Sequence, residues 1–197
     1  MQSYNVGILL FNDVEVLDFA GPFEVFSVTK DATSFDFLNV FTIAHEPGNI
    51  IAKNGLEVVP DYTFLFHPPI QVLIVPGGDG TRKIFENREY IKWIQKVHEN
   101  SMITASVCSG ARLLAKAGLL RGIPVTTHHQ VMEEIKSISP TSKLDPSKRY
   151  IERGRVITSG GISAGIDMSL YIVQKLLGVK TALQTQKYME YGDWRSL

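Results

Sequence analysis

The amino-acid sequence predicts an α/β fold: one domain built on a doubly wound, mostly parallel sheet with helices on both faces. Short apolar, β-branched runs recur without the apolar–polar alternation of a half-exposed sheet, as expected for strands covered on both faces. Between them lie segments with helical period, and strand–helix alternation along one chain is satisfied by layering helices on both sides of a parallel sheet. A length of 197 residues suits a single core spanning 1–197.

The strand runs are NVGILLF (5–11), FLNVFTIA (37–44), QVLIVP (71–76), MITASV (102–107) and RVITSG (155–160). A helix is expected over 21–28, where Pro22 suits the first helical position. The segment 87–100 places Tyr90, Ile91, Ile94 and Val97 on one stripe, and 109–120 reads as a helix broken near Gly118. The longest helix expected is 163–178, with Ser163 as N-cap and Gly178 as C-cap, followed by a last helix over 179–191. Residues 45–69 and 137–152, richer in Pro, Asn, Lys and Asp, read as hairpins and surface loops rather than central strands.

Composition removes several function classes. The 20 Lys and Arg residues balance 20 Asp and Glu, with no basic run, so neither nucleic acid nor a membrane surface is an expected partner. No apolar stretch approaches the roughly 20 residues that cross a bilayer. The N-terminus lacks a basic flank and a small-residue cleavage pattern, so a cytoplasmic location is expected. The one cysteine, Cys108, cannot form an internal disulfide, and no Cys-x-x-Cys pair suggests zinc.

Ligands of doubly wound sheets bind beyond the carboxyl ends of the strands, where helix N-termini point inward. In ASVCSGARLLA an apolar strand stops at Val107, Cys108 takes the turn, and Ser109 and Gly110 open a helix. That is the layout of a nucleophile elbow with Cys in place of Ser, and a helix N-terminus would lower the thiol pKa. Cys108 is equally readable as a small buried hydrophobe. The segment NDVEVLDFAGPFEVF holds Asp13, Glu15, Asp18 and Glu24. Asp18, flanked by Val16, Leu17 and Phe19, either has a raised pKa suited to proton transfer or caps the helix expected at Pro22. After the strand LIVP, Gly77 and Gly78 form either a plain turn or a pair of N–H donors for a developing anion. His128 and His129 follow PVTT; one could orient or protonate a Cys108 adduct, and a metal there would need a third ligand that the sequence does not place.

Taken together, ASVCSGARLLAKAGLL, VTTHH, LIVPGG, LDFAGPFEVF and ITSGGISAGID resemble the ThiJ/PfpI superfamily, related to class I glutamine amidotransferase domains, over nearly the whole chain. The resemblance implies a flavodoxin-like sheet order and a homodimer, with Phe19, Phe23 and Phe26 in the contact. Within the superfamily, the aspartate in LDFAGP, the TTHH segment and GGISAGID are similar to isocyanide (isonitrile) hydratases. Cys108 then matches the nucleophile and Asp18 the acidic partner. Ser109 stands where the hydratases usually carry Thr and the PfpI-type proteases carry His. By the same resemblance Gly77 and Gly78 form an anion pocket, and Gly160, Gly161 and Asp167 belong to a helix start packed near the thiolate.

The implied activity is hydration of a small-molecule isocyanide to an N-substituted formamide through a Cys108 thioimidate, with no metal or organic cofactor. Other superfamily branches supply the alternatives: glyoxalase- or deglycase-like, amidase- or protease-like, or ligand- or redox-sensing without catalysis. A chain ending at Leu197 without a helix-turn-helix segment favours the enzyme expectation.

Overall fold

The structure, a computed structural model, describes residues 4–33 and 38–196. Strand β1 (Tyr4–Leu9) leads into helix α1 (Val16–Thr33) and then β2 (Leu38–Ala44). A hairpin of β3 (Ile50–Ile51) and β4 (Glu57–Val58) follows, then the short β5 (Tyr62–Thr63) and β6 (Val72–Val75). Helices α2 (Thr81–Ile84) and α3 (Arg88–Asn100) lead to β7 (Ile103–Ser106), α4 (Ala111–Lys116), β8 (Pro124–Val125) and α5 (Met132–Ile138). The chain closes with β9 (Lys143–Leu144), β10 (Tyr150–Arg153), β11 (Val156–Ser159), α6 (Ala164–Leu177) and α7 (Val179–Tyr188).

The central sheet has seven strands in the order β10-β11-β7-β6-β1-β2-β5. All its pairings are parallel except β10 with β11. Helices α1, α6 and α7 pack together as one layer, while α2, α3 and α5 gather around α4 as the other. Covered on both sides, β6, β7 and β11 are buried at every residue, which is why they carry no charged residue and lack apolar–polar alternation. Each buried aliphatic of β6 contributes about 1.5–3 kcal/mol of transfer free energy. No helix among the described residues is long and apolar enough to cross a membrane.

The expected strands sit where the apolar runs placed them, within a residue or two; Phe37 lies outside the described residues. Asn87 caps α3 by accepting the Glu89 N–H, and Gly178 ends α6 with φ +89°. Ser163 precedes α6 without a side-chain capping bond; its hydroxyl accepts from Arg149. In α3, Trp93 rather than Ile91 joins Tyr90, Ile94 and Val97 in the core.

Other expectations are corrected. The first helix starts at Val16, so Pro22 lies inside it rather than at its first position. Proline at that place withholds one N–H from the carbonyl of Asp18, and the apolar face of α1, pressed between the sheet and α6–α7, outweighs that loss. Phe19 and Phe26 are spent on this face, leaving Phe23 as the exposed member of the expected dimer contact. The helix expected over 109–120 is α-helical only from Ala111 to Lys116, preceded by a 3₁₀ turn at Cys108–Gly110. The 45–69 segment holds the β3–β4 hairpin and also β5, which extends the sheet beside β2. The 137–152 segment supplies β9, which pairs with β8, and the start of β10.

Candidate active site

Register brings the site together. Val75 pairs with Ser106 and Ser106 with Thr158, so β6, β7 and β11 end side by side. Each chain then turns: β6 into Gly77 and Gly78, β7 into Cys108, β11 into Gly160. The Cys108 N–H donates to the Gly160 carbonyl at 3.0 Å, and the Cys108 carbonyl accepts from the Thr127 hydroxyl at 2.6 Å. Between these bonds Cys108 is held at φ +55°, a conformation that costs a non-glycine residue about 1–3 kcal/mol. The sequence layout of an elbow is therefore realised in three dimensions.

Gly110 makes the elbow possible. A Cβ there would lie 2.1 Å from the Val75 carbonyl oxygen, a backbone atom that cannot step aside. Gly110→Ala is expected to destabilise the fold by about 3 kcal/mol through this overlap; an unchanged urea midpoint would show that the turn can move away.

Asp18, in the first turn of α1, is fully buried rather than a solvent-facing cap. One carboxylate oxygen accepts the Gly77 N–H at 2.9 Å, and the Cys108 thiol lies close enough for the two groups to shift each other's pKa. Among the described residues its Oδ1 has no hydrogen-bond partner, a situation suited to a group that holds or passes a proton. Burial pushes the Asp18 carboxyl up to about 7, against the pull of the Gly77 N–H and the Cys108 thiol; the charge of Glu15 adds to the rise.

The expected lowering of the thiol pKa by the helix start is outweighed. Burial, then the neighbouring Asp18 charge, push Cys108 up to about 12, while the N–H groups of Ser109 and Ile162 on the sulfur pull it down. Helix α4 has only six residues and starts behind the 3₁₀ turn, so its dipole is a small opponent. Each charge opposes the other, and the pair titrates as a unit. Between the two titrations it carries one negative charge and one proton, divided between carboxyl and sulfur. A thiolate exists here when that proton sits on Asp18.

The other expected residues divide. Ser109 lines the cleft, but its hydroxyl accepts from the Gly78 N–H at 2.9 Å and reaches the Gly78 carbonyl at 3.3 Å. The Gly77 and Gly78 amides thus serve Asp18 and Ser109 instead of facing an open anion pocket; the amides on the sulfur side are those of Ser109 and Ile162. Gly160 anchors the Cys108 backbone, and Gly161 lies against the His128 ring. Asp167 is not at the thiolate: it accepts from Arg149 at 2.5 Å and from Tyr191 at 3.1 Å, because that side of α6 faces the C-terminal segment.

Cys108 opens into a cleft of about 330 Å³ whose rim includes Glu15, Lys53, Asp79, Arg82, His128 and His129. The two histidine rings lie 4.4 Å apart; burial first, then His129, lower the pKa of His128 below the usual histidine value. Among the described residues no three metal-ligating side chains converge. Reading the sequence missed Lys53, Arg112, Thr127 and Ile162, none of which carries a local signal. Ile162 acts through its backbone at φ +48°, and Lys53 arrives on the β3–β4 turn to lie 3.4 Å from Glu15.

Comparison with known proteins gives the chain its relatives. The chain is 34% identical over 191 residues to the isonitrile hydratase of Pseudomonas putida, across 96% of this chain and 79% of that protein. It is 25% identical to the HTH-type transcriptional regulator GbdR of Pseudomonas aeruginosa, across 86% of this chain but 46% of the regulator. The crystal structure of a ThiJ/PfpI family protein from Pseudomonas syringae superposes with a TM-score of 0.87 at 27% identity, covering 97% of this chain and 76% of that one. The family model of DJ-1/PfpI matches residues 4–175, a span that includes the Cys108 elbow, Asp18 and the whole sheet, and the chain belongs to the DJ-1/PfpI family.

Proposed function

We propose that the chain is a cysteine-dependent isocyanide hydratase, converting R–N≡C and water to the N-substituted formamide. The observation that carries this reading is the buried Asp18 carboxyl, with one oxygen unpartnered among the described residues, beside the Cys108 thiol that lines an open cleft. Covalent hydration of an isocyanide through sulfur uses that combination, a nucleophile for the terminal carbon and an acid to protonate the same carbon. The similarity to an isonitrile hydratase along almost all of the chain supports it.

In the reactive tautomer Asp18 holds the proton and the sulfur is anionic under the N–H groups of Ser109 and Ile162. Sulfur bonds to the isocyanide carbon, and Asp18 gives that carbon its proton, leaving S–CH=N–R and a carboxylate. The carboxylate then takes a proton from water as the hydroxyl adds to carbon, and passes it to nitrogen. As the hydroxyl proton returns to Asp18 the carbonyl forms, the C–S bond breaks, and the formamide leaves with the thiolate restored. No residue changes oxidation state. Ser109 acts by holding the Gly77–Gly78 turn in place, since its hydroxyl is already engaged there.

The polar rim of the cleft favours one second reading. Glu15, Lys53, Asp79, Arg82 and the two histidines suit a small hydrophilic electrophile, and a glyoxal would meet the same sulfur and acid. Wild type and Cys108→Ala should be given a panel of alkyl isocyanides and methylglyoxal. Formamide that appears only with the intact cysteine is the expected result; methylglyoxal consumption without formamide would replace the hydratase reading by the second.

A further inference from the structure

Arg112 is, among the described residues, the largest of the almost completely buried side chains, 2% exposed on α4, one turn beyond Cys108. A guanidinium is costly to remove from water, so it persists in a core only where its hydrogen bonds are well formed. Two are. Nη2 donates to Glu134 on α5 at 2.6 Å, and Nη1 donates to the Thr81 hydroxyl at 2.8 Å. Thr81 in turn donates to the Gly78 carbonyl at 2.7 Å. Gly78 exchanges bonds with the Ser109 hydroxyl, and its neighbour Gly77 gives its N–H to Asp18. An unbroken path of hydrogen bonds and backbone therefore runs from Glu134 on α5 to the acidic partner of the cysteine.

The turn at the middle of this path is one that needs holding. Gly78 sits at φ +122°, and a Cβ there would meet the Asp13 carbonyl at 2.4 Å and the Glu15 N–H nitrogen at 2.5 Å. Such crowding leaves the turn little slack, so a small shift would separate the Gly77 amide from Asp18.

We propose that Arg112 is a positioning residue, whose guanidinium, relayed by the Thr81 hydroxyl, fixes the Gly77–Gly78 turn and so sets the Asp18 carboxyl against Cys108. The proposal rests on Cys108 and Asp18 being the reacting pair, and it explains why a charged residue occupies the core of a helix that otherwise packs Leu113 and Leu114.

Cys108 is the chain's single cysteine, so the rate of its alkylation by iodoacetamide reports on the pair without any substrate. The rate should be measured against pH for wild type, Arg112→Met, Thr81→Val, the double variant and Glu134→Gln. Loss of the relay loosens the Gly77 N–H from Asp18, which then keeps its proton to higher pH. Arg112→Met and Thr81→Val are each expected to move the lower inflection upward by roughly half a pH unit, about a threefold change in the proton equilibrium. The double variant should move it no further, because both changes break one path. Glu134→Gln, which leaves the Thr81 bond in place, should give a smaller shift in the same direction. Thr81→Val keeps the test intact if Arg112→Met fails to fold. Profiles that superimpose on wild type, or shifts that add in the double variant, would overturn the proposal. A shifted profile in a protein that makes no formamide would instead count against the hydratase reading alone.

Discussion

Asp18→Asn is expected to lower formamide formation by roughly 10²–10⁴-fold while leaving Cys108 open to alkylation, the range by which positioned proton transfer accelerates such steps. The amide fills the same buried space but cannot deliver a proton to the isocyanide carbon or recover one from water. Its effect on the sulfur runs the other way. The Asp18 charge is, after burial, the next cause that pushes the thiol up to about 12, and with that charge gone the thiol titrates lower. Initial rates of formamide production, set beside the pH dependence of alkylation, separate the two effects. In wild type, turnover should fall as pH drops below about 7, where the pair takes up its second proton and no thiolate form remains. An Asp18→Asn protein that turns over at the wild-type rate would remove Asp18 from the chemistry.

The same substitution should change how stability depends on pH. The Asp18 carboxyl is raised from 3.8 to about 7 in the folded chain. Between those values the native state holds a proton that the unfolded state has released, so stability declines as pH rises through this window and the decline is complete above about 7. A shift of about three units corresponds to about 4 kcal/mol. Asn has no such titration. Relative to wild type, Asp18→Asn should therefore be near neutral at pH 4 and stabilising by up to about 4 kcal/mol at pH 8, less whatever the Gly77 bond is worth to a carboxylate rather than an amide. Urea midpoints at the two pH values test this, and an equal difference at both would mean that burial does not raise the carboxyl. A stabilised but inactive variant is the expected signature of a buried group retained for chemistry.

How much was legible beforehand differs from residue to residue. The central strands were readable because burial on both faces leaves no exposed position in Val72–Val75, Ile103–Ser106 or Val156–Ser159. Helix α3 was readable because it carries its own cap, Asn87, and a full stripe. The start of α1 was misread because Pro22 is a local signal for a first turn, whereas the packing of Phe19 and Phe26 is a tertiary one and is the stronger. Helices α2 and α5 are too short for a period to show, at four and seven residues. Arg112 looked like any basic residue on a helix, since nothing nearby in sequence announces Thr81 or Glu134 as its partners.

By itself, then, the sequence determined the alternation of strands and helices, the elbow at Cys108 and the acidic residue in an apolar setting at Asp18, because propensity, period and turn chemistry act over a few neighbouring residues. Only the tertiary structure decided that Asp18 faces Cys108, that burial raises the thiol where a helix end was expected to lower it, and that the Gly77 and Gly78 amides are already engaged. The partners responsible lie 59 positions apart for Gly77 and Asp18 and 31 for Gly78 and Ser109. Desolvation and hydrogen bonding depend on what the sheet register brings within 3 Å, and no local pattern encodes that.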